Sequence, residues 1–199
     1  MEKKKGFLLV LSGPSGVGKG TIVKEILKDR DDAVISISVT TRYKRETEEE
    51  GKDYFFVSLE KFNEMVKNHE LIEFAEVHSN YYGTPKAFVE ENIEKGNVVI
   101  LEIDVQGAQQ IRESFDDAVY VFVLPPRMKD IELRLRHRNT EDDAKISLRL
   151  ENAKKEFNQI KKYDYFLLND QVTDATIRLQ RIIDEEREIR RNRNDKSKL

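Results

Sequence analysis

The sequence predicts an α/β fold, a parallel sheet covered by helices with a small mixed lobe inserted. Three observations carry this. Apolar runs of strand length, Val98-Val99-Ile100-Leu101 and Val119-Tyr120-Val121-Phe122-Val123, suit strands buried on both faces. Helical patterns alternate with such runs, which implies a parallel sheet with helices on both sides. Between about 36 and 86 the alternation gives way to short strands, as an inserted lobe requires. One domain, 1–199, is expected, with its core at 1–35 and 87–199.

Taken in order, Phe7 to Leu11 is the first strand, and a helix from Thr21 to about Lys28 follows a glycine-rich turn. Ala33 to Val39 reads as one strand that ends in alternation. Residues 40–53 are polar, with Gly51 as a turn, and Tyr54 to Val57 is a short strand. Leu59 to Asn68 places Phe62, Met65 and Val66 on one helical face, with Ser58 as N-cap. Leu71 to Val77 alternates as a half-buried strand, and Tyr81 to Pro85 reads as a turn. Lys86 to Lys95 is a helix stopped by Gly96. After Val98–Leu101, Gln106-Gly107 opens a helix. After Val119–Val123, Pro125-Pro126 ends the strand and a helix runs from about Met128 to His137. Arg138 to Asp143 is a polar link, and Lys145 to Lys161 is helical. Tyr165 to Leu168 is the last strand, Thr173 to Arg190 the closing helix, and the basic run from Arg190 to Lys196 a solvated, frayed end.

Lys and Arg number 35 against 38 Asp and Glu, a net charge of −3, which argues against a general nucleic-acid binder. With no cysteine there is neither disulfide nor thiolate metal site, which fits a reducing cytoplasm. The apolar run after Met1-Glu2-Lys3-Lys4-Lys5 is too short for a secretory signal, and no stretch reaches membrane-spanning length. A cytoplasmic protein with no membrane or nucleic-acid partner is expected.

The chemistry concentrates in Gly13-Pro14-Ser15-Gly16-Val17-Gly18-Lys19-Gly20-Thr21. Strand, glycine turn, lysine and helix, in that order, make a polyphosphate cradle. Glycines let backbone N–H groups turn inward, the helix start adds unpaired donors, and Lys19 adds a full charge. Gly20 stands where Ser or Thr would offer magnesium a hydroxyl, so the metal is expected to be held by phosphates and water, near Asp104 or Thr21.

Three further groups lie near strand ends or in polar links. Glu102 and Asp104 share a face at a buried strand's end, where Asp104 suits magnesium, a substrate or the cap of the next helix. Thr40-Thr41-Arg42-Tyr43-Lys44-Arg45, with Tyr54, Tyr81 and Tyr82, reads either as a phosphomonoester site or as a solvated basic loop. Arg134, Arg136, Arg138 and Arg149 either close over a transferring phosphoryl group or pair with Glu132, Glu141 and Asp142 on the surface. His69, His78 and His137 have no ligand-like spacing and read as structural or exposed.

These motifs resemble the guanylate kinase family from about Gly6 to Arg181. The carriers are Ser12–Lys19, Ser38–Arg42 with Arg45, Gly51–Tyr54, Glu73-Phe74-Ala75, Asn80–Thr84, Glu102–Gly107, Pro125-Pro126 and Asn169-Asp170. The resemblance implies a P-loop kinase core, a GMP-binding lobe at about 36–86 and a lid at about 127–150. It implies phosphoryl transfer from ATP to GMP, with dGMP as a further acceptor, and Mg²⁺ as the cofactor. Residues 13–21, Arg134, Arg138 and Asn169 would serve ATP. Ser38, Arg42, Arg45, Tyr54 and Tyr82 would hold the GMP phosphate. Glu73, Thr84 and Asp104 would read guanine, with Gly83 and Glu102 beside them. Lys19, Arg42, Arg134, Arg138 and Arg149 would act in transfer. Two rivals follow: a phosphopeptide-binding module of the same fold, and a kinase for another nucleoside monophosphate. Gly18 and Lys19 argue against the first, Glu73 and Asp104 against the second.

Overall fold

The computed structural model describes residues 6–77, 79–137 and 143–196. Five parallel strands form the main sheet in the order β2-β7-β1-β8-β9: β1 Phe7–Ser12, β2 Ala33–Ile35, β7 Val98–Glu102, β8 Ala118–Leu124 and β9 Tyr165–Leu168. The unbroken apolar runs have a simple cause. Alternate residues point to opposite faces. Phe7, Leu9 and Leu11 pack in one layer with Ile22, Val23 and Ile26 of helix α1 (Lys19–Asp29) and with Leu179 and Ile183 of α7 (Val172–Lys196). Leu8 and Val10 pack in the other, with Val89 and Ile93 of α3 (Lys86–Lys95) and Ile111 of α4 (Val105–Ser114). All six residues of β1 are buried. Each such aliphatic side chain contributes about 1.5–3 kcal/mol.

The lobe is a four-stranded sheet in the order β4-β3-β6-β5: β3 Val39–Thr40, β4 Phe55–Phe56, β5 Leu71–Val77 and β6 Asn80–Pro85. Helix α2 (Leu59–Lys67) begins at the expected cap, where the Ser58 hydroxyl accepts from Lys61 N at 3.2 Å. Gly96, at φ 95°, ends α3 in the left-handed conformation that favours glycine.

Four boundaries differ from expectation. The single strand expected over Ala33–Val39 is two strands in two sheets. Ser36 N makes the last bond to the core, to Ile100 O, and the chain then crosses to the lobe. A strand that changes sheets keeps its period of two, so the pattern hides the crossing. The expected turn at Tyr81–Pro85 is strand β6. Gly83 serves close approach there: a Cβ would lie 2.7 Å from Leu71 Cδ1. The long helix expected to reach Lys161 ends at Phe157 as α6 (Asp143–Phe157), and a 3-10 turn, Ile160–Lys162, follows. Finally, α7 continues through the basic run to Lys196. Helix α5 (Met128–His137) lies as expected; the 138–142 link, with Arg138, and His78 lie outside the described residues.

Candidate active site

The carboxyl ends of β1, β7, β8 and β9 lie along one edge of the sheet, with Leu11 beside Glu102 and Ser12 beside Phe122. The glycine loop leaves β1 there. Gly13, Gly16 and Gly18 have φ of 141°, 83° and 100°. Gly18 begins α1 in a left-handed conformation and offers no side-chain cap, so the first N–H groups of α1 have no side-chain acceptor. That is an anion site by geometry and by dipole. Val17 is buried in the core and anchors the loop.

Lys19 folds back over this loop. Its Nζ donates to Gly13 O at 2.5 Å and approaches Pro14 O at 3.4 Å. Gly20, the departure from the usual hydroxyl, has a local reason. A Cβ there would sit 3.1 Å from Glu102 Oε2, tighter than ordinary contact. Glycine leaves room for that carboxylate; Thr21, the next hydroxyl, is exposed.

Of the arginines, Arg134 and Arg149 reach the loop. Arg134 donates to Val17 O at 2.8 Å and Asn169 O at 3.1 Å, and Arg149 donates to Ser15 Oγ at 2.6 Å. Arg136 pairs with Glu132 on the surface of α5, as the plainer alternative had it. Asn169 is 2% exposed; its Nδ2 donates to Val17 O at 2.7 Å, while its Oδ1 is buried without a partner. A Cβ on Gly18 would come within 2.5 Å of that Nδ2. Gly18→Ala is therefore expected to cost about 1–2 kcal/mol for the left-handed backbone alone, and more from the collision. Urea unfolding measures the loss, and a midpoint equal to wild type would contradict it.

Across the crevice lies the lobe. Glu73, on β5, is 7% exposed, and its Oε1 accepts from Thr84 Oγ1 at 2.6 Å. Burial pushes the Glu73 carboxyl up, the Thr84 hydroxyl pulls it back, and the charge of Asp104 adds to the rise. Helix α4 shapes this corner. A Cβ on Gly107 would sit 3.1 Å from Glu73 Oε2. Asp104 caps α4, its Oδ1 accepting from Gly107 N at 2.8 Å, so the capping role is real whatever else the residue does. Gln110 reads the main chain beside Glu73: Phe74 N donates to Gln110 Oε1 at 3.0 Å and Gln110 Nε2 donates to Phe74 O at 2.8 Å. Ser114 Oγ donates to Ile72 O at 3.0 Å. Strand β5 is an edge strand, and α4 satisfies part of its open side.

In the basic segment after β3, residues 43–47 are exposed while Arg42 is held in place. Arg42 is clasped by Glu48, with NH2 to Oε1 at 2.7 Å and NH1 to Oε2 at 3.1 Å. Its guanidinium lies 5.4 Å from the Tyr54 ring centroid and 5.8 Å from that of Phe56. Tyr54 and Tyr82 meet edge to face at 5.9 Å. Burial pushes the Tyr54 hydroxyl up, and Glu102's charge reaches it from the core. Ser38 holds β4 through its carbonyl, which accepts from Phe55 N at 2.9 Å. Gly83 pairs with Val39 and with Phe74, in the middle of the lobe sheet. Arg45 is exposed, and its backbone N donates to Glu48 Oε2 at 2.9 Å.

Glu156 of α6 was not singled out in the sequence. Its Oε2 is buried without a partner, burial raises its carboxyl, and it feels both Lys19 and Asp104. With Asp104, Gln109 and Tyr163 it lines a cavity of about 580 Å³ between α4 and α6. Among lysines at 154 and 155 it carries no sequence signal. Gln110 carried a weak one: Gly107, Gln110 and Ser114 fall on one helical face. His69 is exposed.

A guanylate kinase family model matches residues 5–186. A guanylate kinase of Clostridioides difficile is 48% identical over 187 residues, covering 94% of this chain and 91% of that protein. One of Caldanaerobacter subterraneus is 46% identical over 181 residues, 91% of this chain and 88% of its own length. The crystal structure of the Anaplasma phagocytophilum guanylate kinase superposes with a TM-score of 0.74 at 36% identity, covering 93% of this chain and 88% of that one. This chain belongs to the guanylate kinase family.

Proposed function

We propose that the protein transfers the γ-phosphoryl group of ATP to GMP, giving ADP and GDP, with each substrate on its own side of the crevice. The observation that carries this is the pairing of a lysine-bearing anion nest, joined by Arg134 and Arg149, with a lobe that buries Glu73 and orders Arg42. A coupled ADP-release assay over a panel of nucleoside monophosphates tests it. Turnover on GMP, with dGMP slower and AMP negligible, is the expected result; preference for AMP would overturn it.

ATP phosphates enter the loop from Gly13 to Thr21, where Lys19 exchanges two carbonyls for phosphate oxygens. Arg134 and Arg149, with Arg138, neutralise charge that spreads over the phosphoryl group in flight. The orphan Oδ1 of Asn169 suits the adenine amino group. On the lobe, Ser38, Arg42, Arg45, Tyr54 and Tyr82 hold the GMP phosphate. Glu73, Thr84 and Asp104 read the guanine edge, with Gly83 and Glu102 beside them. Adenine presents an acceptor where guanine presents N1–H, and a buried carboxylate facing it would be left unpaired. The attacking phosphate oxygen is already ionised at neutral pH, so no general base is needed. The residues supply position, countercharge and exclusion of water, and the segment at about 127–150 closes as the lid.

Magnesium fits this arrangement as a passenger on triphosphate oxygens and water. The carboxylates of Glu102 and Asp104 stand at the end of β7 and the start of α4, beside the loop. Bound there, the ion supplies countercharge to the phosphates.

No helix among the described residues is long and apolar enough to cross a membrane. Arg42→Lys is expected to raise KM for GMP at least tenfold, since a point charge cannot replace a forked donor. Steady-state kinetics in GMP measures this, and an unchanged KM would argue against the assignment.

A further inference from the structure

The run Glu46-Thr47-Glu48-Glu49-Glu50 places four carboxylates beside a site for a phosphate dianion, which charge alone disfavours. Geometry separates one of them. Both oxygens of Glu48 engage Arg42, and Oε2 also accepts from Arg45 N at 2.9 Å. Glu48 N in turn donates to Arg45 O at 3.1 Å, so main chain and carboxylate of Glu48 both close the turn that carries Arg45. Arg42 holds Glu48 below the usual carboxylate range, with the Arg45 N–H adding to this. The other glutamates face elsewhere: Glu49 pairs with Lys52, Glu50 accepts from Phe56 N, and Glu46 is exposed.

We infer that Glu48 is a positioning residue for the acceptor phosphate, orienting the Arg42 fork and pinning the backbone that carries Arg45. This rests on the reading of Arg42 as a phosphate-binding residue. The rival role is a stand-in, a carboxylate that occupies Arg42 until phosphate displaces it. The turn argues against displacement. Glu48 lies on the same short loop as both arginines, and withdrawing it breaks three side-chain hydrogen bonds, two of them charge-assisted pairs with Arg42. The Tyr54 ring, against which Tyr82 packs edge to face, lies 5.4 Å from the same guanidinium. Order is what the residue supplies: a flexible arginine must lose its rotamer freedom on binding, and one already held loses less.

The two roles predict opposite signs. Glu48→Gln replaces one acceptor oxygen by a donor that faces Arg42, which breaks the two-point pairing. KM for GMP is expected to rise about tenfold, with KM for ATP and kcat at saturating GMP within twofold of wild type and no loss in melting temperature beyond a degree or two. Glu48→Asp, which keeps the charge on a shorter arm, is expected to fall between. Glu46→Gln removes the same charge from the same loop without the contact and is expected to leave KM unchanged. A fall or no change in KM for Glu48→Gln, or an equal rise for Glu46→Gln, overturns the inference. Arg42→Lys in parallel tests the reading beneath it: if that variant leaves KM unchanged, the phosphate is not held by Arg42 and both statements fail. If Arg42→Lys raises KM while Glu48→Gln does not, only the role of Glu48 fails. In the double variant the losses should not add, because residues in one hydrogen-bonded pair are coupled. Full additivity would also count against the proposal.

Discussion

Glu73→Gln is expected to invert the order of melting temperatures when GMP is added. In the free protein at neutral pH the variant should melt at or above wild type; with saturating GMP it should melt below. The first half follows from burial. Glu73 is 7% exposed, and desolvation raises its carboxyl above the ordinary value. A group whose folded pKa is raised binds its proton more readily in the folded state. Its favourable contribution is therefore full below the unfolded pKa and is lost as pH rises through the folded one. Above the unfolded pKa the buried acid therefore weighs against folding, and glutamine removes that weight while still accepting from Thr84. The difference should shrink toward acid pH, where wild-type Glu73 is neutral in both states. The second half follows from the ligand. A carboxylate can accept from both N1–H and the amine of guanine, whereas glutamine sets a donor against one of them. The loss in kcat/KM for GMP should be on the order of 10²-fold, with ATP affinity unchanged, and ligand-linked stabilisation should fall with the affinity. Calorimetry with each nucleotide checks the split. Equal weakening toward ATP and GMP would refute the role.

Lys19→Ala should lower kcat by about 10²- to 10³-fold, the scale of removing one fixed charge-stabilising donor from a transition state. GMP binding should survive, because every residue assigned to GMP lies on the lobe or at the end of β7. In the free state Lys19 Nζ donates to the carbonyls of Gly13 and Pro14, within the loop it serves. Single-turnover transfer and GMP titration separate the two effects. Near-normal turnover in the variant would remove Lys19 from the mechanism, and with it the reading of the loop.

Much of the site is legible in the sequence because its parts are local. The loop from Gly13 to Thr21 is contiguous, and Gly13, Gly16 and Gly18 each meet a local demand for positive φ. Strands β1, β7 and β8 declare themselves because a strand buried on both faces has no polar positions. Other features are invisible for an equally definite reason. Asp104 offers three readings in the sequence, and only the structure shows that the cap, on Gly107 N, is among its roles. Arg134, Arg136 and Arg149 look alike as letters; only packing separates the two that meet the phosphate loop from the one that pairs with Glu132. The acidic run after Arg45 looks wrong for an anion site until Glu48 is seen clasping Arg42.

The chain alone determined the class of fold and the phosphate loop, because periodicity and glycine placement act over a few residues. The tertiary structure alone decided which charges meet. Gly20 faces Glu102 across 82 positions, and Gln110 grips Phe74 across 36. Such pairings depend on how helix α4 and the lobe sheet are set against the core, and no pattern along the chain encodes an angle between elements distant in sequence.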